Sequence, residues 1–167
     1  LEGETARQVS AKWVLDASGK ADVLSRQLGL HRPLAEEHPT AALWCRFSGV
    51  NDLDSALTRE GKGFIGKVWA ARSIATNHLM GHGWWCWLIP LSDGTLSAGI
   101  VWDHTIFDLP PGPSLQHRLH QHLLSHPVGK LMFAQATPLP DDTHYYKNPA
   151  YYSSQMCGHR WALLGDA

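Results

Sequence analysis

Residues 84–91 and 96–102 are apolar, tryptophan-rich runs that flank Ser92-Asp93-Gly94. Asp-Gly between two such runs is among the strongest short-range signals for a β-hairpin. Gly81-His82-Gly83 gives a second turn before Trp84, and residues 71–79 read as the strand that enters it. Apolar runs at 41–50 and 64–69 extend the pattern, so the middle of the chain is expected to be an antiparallel meander. Pro90 cannot donate to a ladder, which places it at a sheet edge or a strand end.

The two ends read differently. Residues 12–16 form an apolar run expected to be a short buried strand, followed by a turn over 17–20 and a helix over 21–28. Val23, Leu24 and Leu28 share a face of that helix, and Gly29 supplies its stop. Residues 31–39 form a proline-punctuated connection, and residues 51–62 hold a short helix and a loop. Pro110, Pro111 and Pro113 forbid regular structure, after which Ser114 suits an N-cap. Leu115, Leu119, Leu123 and Leu124 recur at helical spacing, and Val128, Leu131 and Met132 continue it past Pro127. A strand is expected around 150–152 and another over 160–164.

The expected fold class is therefore α+β, with α/β material at both ends around an antiparallel-sheet part. The boundaries fall at 1–38, 39–157 and 158–167, the two end segments forming one layer. Strands adjoin both termini, so we expect a piece of a longer protein.

Composition narrows the function classes. The 167 residues carry 14 Lys plus Arg and 15 Asp plus Glu, a formal net charge of −1. That balance argues against nucleic acid as a partner, and no apolar run reaches the roughly 18 residues of a membrane span. Cys45, Cys86 and Cys157 match no metal or disulfide spacing, as expected of reduced thiols in the cytoplasm. There are 8 Trp and 11 His. His117, His120, His122 and His126 cluster along the helix after Ser114. Only His122 and His126 stand four apart, without an intervening Glu, so no metal site is expected. These histidines read as a solvated polar face, and Asp141-Asp142 as a surface turn. His78 and His82, which flank the tryptophan run, are the candidates for substrate contact.

Three motifs carry chemistry. Trp85 and Trp87 stand two apart in a strand, so both indoles lie on one face and make a flat wall for a planar ligand. Packing in a core strand is the rival reading. Asp16-Ala17-Ser18-Gly19, with Arg26 in the following helix, combines a glycine turn that admits close backbone approach with a cationic fork. Gly165-Asp166 ends the last strand with a carboxylate suited to accepting hydrogen bonds from hydroxyls.

Trp85-x-Trp87-x-Ile89-Pro90 resembles the W-x-W-x-I-P signature of flavin-dependent halogenases of the tryptophan halogenase family. The run from Asn77 to Val101 resembles the same proteins. Asp16-Ala17-Ser18-Gly19 and Gly165-Asp166 resemble the two later cofactor fingerprints of the para-hydroxybenzoate hydroxylase-like flavoproteins. The resemblance implies FAD as cofactor, held by Asp16, Gly19, Arg26, Gly165 and Asp166. It implies a substrate and flavin wall of Trp85, Trp87, Pro90 and His78, which keeps substrate from the flavin itself. It further implies halogenation or oxidation of an electron-rich aromatic small molecule with reduced flavin and oxygen. A separate flavin reductase and a carrier protein are the partners it suggests. A monooxygenase or reductase of the same fold, or a non-catalytic binding module, is the alternative. The dinucleotide loop of the family is absent: Gly61-x-Gly63-x-x-Gly66 matches by letter but precedes an apolar run instead of opening a helix. The family's catalytic lysine lies outside this segment, and none of Lys12, Lys20, Lys62, Lys67, Lys130 or Lys147 is assigned to its role.

Overall fold

The structure, a computed structural model, describes residues 8–59 and 71–167. The expected strand at 64–69, the Gly61–Gly66 pattern, Lys62 and Lys67 lie outside the described residues. The strands are β1 (Val14–Asp16), β2 (His31–Pro33), β3 (Thr40–Ser48), β4 (Asn77–Gly81), β5 (Trp84–Pro90), β6 (Leu96–Asp103), β7 (Thr137–Pro138), β8 (His144–Lys147), β9 (Tyr151–Ser153), β10 (Cys157–Gly158) and β11 (Trp161–Leu163). The helices are α1 (Val23–Gln27), α2 (Leu53–Arg59), α3 (Leu115–Ser125) and α4 (Pro127–Phe133). The chain is mixed α+β. It divides into two compact units, one drawn from Leu1–Leu34 and Ala150–Ala167, the other from Ala35–Pro149.

The larger unit is built on the expected meander. Strand order is β4-β5-β6-β3-β7, all antiparallel, and β8 shares the outer edge of β3 with β7. Gly83 and Gly94 hold positive φ at the two hairpin turns, a conformation that costs glycine little. The strand expected over 71–79 is shorter: a 3-10 turn occupies Arg72–Ile74 and the strand begins only at Asn77. Asp54 sets that turn, accepting from the Arg72 backbone N–H at 3.1 Å and pairing with its guanidinium.

Period-two alternation sorts the sheet into two faces. Leu43, Cys45 and Phe47 of β3, Cys86 and Leu88 of β5, and Ala98 and Ile100 of β6 face inward and are completely buried. Leu119 and Leu123 of α3 and Met132 and Phe133 of α4 cover them. Burial pushes the Cys45 and Cys86 thiols up to about 12, so both remain protonated and unreactive. Ser114 caps α3 as its sequence suggested, its side chain accepting from the His117 N–H. Pro127 ends the α3 run and starts α4 at the position where its missing N–H is harmless.

The histidines of this region correct the expectation of a solvated face. His122 is buried, with its ring edge-on to Trp84 at 4.4 Å and to Phe107 at 5.3 Å. His120 points its Nε2 at the Phe133 carbonyl (3.1 Å), and His126 Nδ1 accepts from the Val128 N–H at the start of α4. The leucine stripe missed this because α3 packs a wider arc than its leucines cover. Asp142 is likewise not a free surface group. It accepts from the Arg46 N–H at 2.7 Å and pairs with that guanidinium, which holds its carboxyl below the usual carboxylate range.

In the smaller unit β1 pairs β11 in parallel and β10 pairs β11 antiparallel, while β2 pairs β9. The connection expected at 31–39 thus begins with a strand, and β9 lies where a strand was expected around 150–152. Two expectations fail here. β1 is not buried: Trp13, Val14 and Leu15 are 63, 50 and 61% exposed, and only Asp16 turns inward. Val23 of α1 and Leu28 just after it face solvent, while the buried positions are Ser25 and, just before the helix, Asp22. Among the described residues, no helix is long and apolar enough to cross a membrane.

Burial, with the neighbouring His126 charge adding to it, pushes the His122 imidazole down to about 4. An unfolded histidine titrates near 6.5, so the folded chain binds fewer protons between these values. The stability this site contributes is therefore complete above about pH 6.5 and is lost as pH falls toward 4, by on the order of 3 kcal/mol. Denaturant unfolding at pH 7 and pH 4.5 should show that loss, and His122→Leu should flatten it.

Candidate functional site

The smaller unit brings the two glycine turns together. Because β1 and β11 run parallel with Asp16 opposite Leu163, Asp16-Ala17-Ser18-Gly19 and Gly165-Asp166 leave the same end of the pair. The Leu164 N–H donates to the Asp16 carbonyl at 2.8 Å, locking the two together. The carboxyl ends of parallel strands are where ligands of α/β folds bind. Gly19 and Gly165 hold φ of +58° and +66°, and a Cβ at either position would meet open space. The constraint there is backbone conformation, and the turns stay open to an incoming ligand.

Asp16 does not face that opening. Its Oδ1 accepts from the Ser18 N–H at 2.8 Å and its Oδ2 from the Leu24 N–H at 2.6 Å. The Ser18 side chain, then the backbone N–H groups of Leu24 and Ser18, hold the carboxyl below its ordinary range. Ser18 Oγ also accepts from the Val23 N–H at 3.1 Å. Asp16 and Ser18 therefore satisfy amides at the start of α1 and shape the turn from behind, so Asp16 positions the turn instead of presenting its carboxylate. Arg26 is more than half exposed, with its Nε 3.8 Å from Asp22. Asp166 is exposed at the turn.

No local pattern points to the groups that tie the turns together. The Tyr151 hydroxyl donates to the Asp166 carbonyl and lies 3.5 Å from the Gly19 carbonyl. The ring of Tyr151 meets that of His31 at 4.9 Å, tilted by 30°, and His31 Nδ1 pairs with the fully buried Asp22. Asp22 itself sits at a left-handed φ of 48°, unusual outside glycine, and its Oδ1 has no hydrogen-bond partner among the described residues. Ser25 on α1 and Ser153 on β9 close the contact at 3.1 Å.

The larger unit carries the tryptophan wall on the sheet face opposite its core. Trp85 and Trp87 lie on that face with ring centroids 5.8 Å apart, and His78 of β4 meets Trp85 at 5.4 Å. Trp44 of β3, absent from the expected site, joins them: its ring is 6.1 Å from Trp87, 5.1 Å from His144 and 6.1 Å from Tyr146. The wall thus spans the sheet. One expectation is corrected. Pro90 alternates onto the other face and lines a separate cleft of about 230 Å³ with Asn77, Arg72 and Thr95. His82 sits exposed in the β4–β5 turn.

Comparison with known proteins places this geometry. No protein-family profile matches the chain. The flavin-dependent halogenase armH5 of Armillaria mellea is 26% identical over 164 residues, covering 96% of this chain and 29% of its own length. The sulochrin halogenase gedL of Aspergillus terreus is 23% identical over 166 residues, covering 98% of this chain and 28% of its own. The chain spans under a third of the length of these curated relatives. Among solved structures, the halogenase PltM in complex with phloroglucinol and FAD superposes with a TM-score of 0.72 at 22% identity, covering 96% of this chain and 32% of that one. The chain is flavin-dependent halogenase-like in sequence and shares the fold of these proteins.

Asp16→Ala would leave the Ser18 and Leu24 amides without their acceptor and should cost about 1 kcal/mol locally, the scale of a lost cap. Hydrogen exchange of those two amides should quicken, while amides of the β5–β6 hairpin keep wild-type protection.

Proposed function

We propose that this chain is part of an FAD-dependent oxidoreductase of the halogenase type. Residues 1–38 and 158–167 contribute to its FAD-binding domain, and residues 39–157 form its substrate domain. The observation that carries this reading is the meeting of two open glycine turns, one bearing an exposed carboxylate, at the carboxyl ends of the parallel pair β1–β11.

The residues present suit FAD. Gly19 and Gly165 leave backbone amides and carbonyls approachable, the Arg26 guanidinium offers a fork for phosphate oxygens, and the Asp166 carboxylate accepts from sugar hydroxyls. Asp16 and Ser18 hold the first turn, and Tyr151 keeps it in register with the second. When bound, FAD supplies the reaction of reduced flavin with oxygen. The chain's own contribution on the substrate side is the wall of Trp85 and Trp87 with His78. It offers an electron-rich aromatic face, its rings tilted to one another, to a planar ring and excludes water from it. An electron-rich aromatic small molecule, free or attached to a carrier protein, fits that face as substrate. A separate reductase would deliver the reduced flavin. The three cysteines, free among the described residues, suit the reducing cytoplasm.

The full-length protein tests this. It should carry the visible absorbance of bound flavin, and chlorination and bromination assays on phenols should yield halogenated product. Bound flavin with hydroxylated or reduced product alone would assign a monooxygenase or reductase of the same fold. A colourless protein that also refuses added FAD would leave a binding module and end the proposal. Asp166→Ala should weaken FAD roughly tenfold, the value of a hydrogen bond to a charged acceptor.

A further inference from the structure

Gly99 stands in the middle of β6, a central strand, where glycine is a poor choice: it brings no side chain to pack and loses the most backbone freedom. Its neighbours explain it. The sheet register sets Trp87 of β5 directly opposite Gly99 on one side and Trp44 of β3 directly opposite it on the other. His78 and His144 extend the same row, opposite Trp87 and Trp44 respectively. The row thus reads His78, Trp87, Gly99, Trp44, His144 across five strands. A Cβ built on Gly99 would lie 2.2 Å from Cζ2 of Trp87 and 2.5 Å from its Cε2. The Trp87 indole therefore lies across the glycine, over β6, and meets Trp44 at 6.1 Å. It has little room to retreat, since Trp85 is 5.8 Å away and its Nε1 reaches Ser97 Oγ at 3.4 Å.

We propose that Gly99 is a positioning residue of the aromatic wall. Its missing side chain lets Trp87 lie down against Trp44, so that three indoles, not two, make one continuous surface. This rests on the reading above only in taking that surface as the substrate side. Without Gly99, Trp87 would stand away from the sheet and divide the wall between β5 and β3.

A double-mutant cycle on the full-length, flavin-free protein tests it, which keeps its outcome separate from that of the FAD assays. Circular dichroism of the wild type should carry an exciton couplet from the packed indoles, and Trp44→Phe should remove much of it while the protein stays folded. Gly99→Ala should alter the couplet and lower the melting temperature by roughly 5 °C, as overpacking does. Trp87→Phe shrinks the ring that the new methyl strikes. In that background Gly99→Ala should cost nothing further, giving a clear non-additivity. Should Gly99→Ala alone fail to fold, the double variant should recover a cooperative melt. Additive losses, a double variant that still fails to fold, or a Gly99→Ala protein with the wild-type couplet would each overturn the proposal.

Discussion

The register of β6 between β5 and β3 is the constraint on which the larger unit depends. Side chains alternate with period two, so one choice of register sends Leu43, Cys86, Leu88, Ala98 and Ile100 to the helices and leaves Trp44, Trp85 and Trp87 on the other face. A slip by one residue would exchange the faces, burying indoles against α3 and exposing the core. The two hairpin turns resist that slip on one side of the sheet. On the other, nine-residue β3 is held by eight consecutive partners along β6. The core and the aromatic wall are thus two consequences of one pairing.

The smaller unit works by a different economy. Around the first turn its buried side chains are polar, Asp16, Asp22 and Ser25, while apolar Leu163 and Ala167 are buried on either side of the second. Each of the three polar side chains meets another polar group, so hydrogen bonds and not apolar packing define the shape of the first turn. That arrangement fits a site in which backbone groups must be presented outward. The Asp16 carboxylate and Ser18 hydroxyl satisfy the first amides of α1 from inside, which leaves the outer rim of the turn to a ligand. Exposed Trp13, Val14 and Leu15 beside this polar interior make an unusual surface for a short strand pair.

Much of the candidate site was legible from local patterns. Trp85 and Trp87 share a face because they are two apart. Gly19 and Gly165 mark turns because glycine takes positive φ without strain. His78 joins the wall because the short turn at His82-Gly83 fixes its register with Trp87. Pro90 is placed on the wall only by the family resemblance. It belongs to the motif by letter, but its odd offset from the tryptophans sends it to the opposite face. The fingerprint resemblance implies Asp16 as a ligand whose carboxylate accepts hydrogen bonds. The sequence does not say whether those bonds come from outside or from the amides of the following helix. A solvated His122 is the expectation from sequence because a histidine off a leucine stripe is more often exposed than caged, as here, between Trp84 and Phe107.

By itself the sequence determined the meander, its turns, the capped helix α3, and the pairing of tryptophans on one face. Each follows from chemistry within a few residues: period-two alternation, positive-φ glycines and a serine before a helix. Only the tertiary structure decided that Trp44 completes the wall over Gly99, that Tyr151 ties the Gly19 turn to the Asp166 turn, and that Asp16 turns inward. Those facts depend on which distant strands lie side by side and in what register. That choice is made by the burial and hydrogen bonding of the whole sheet, which no local spacing encodes.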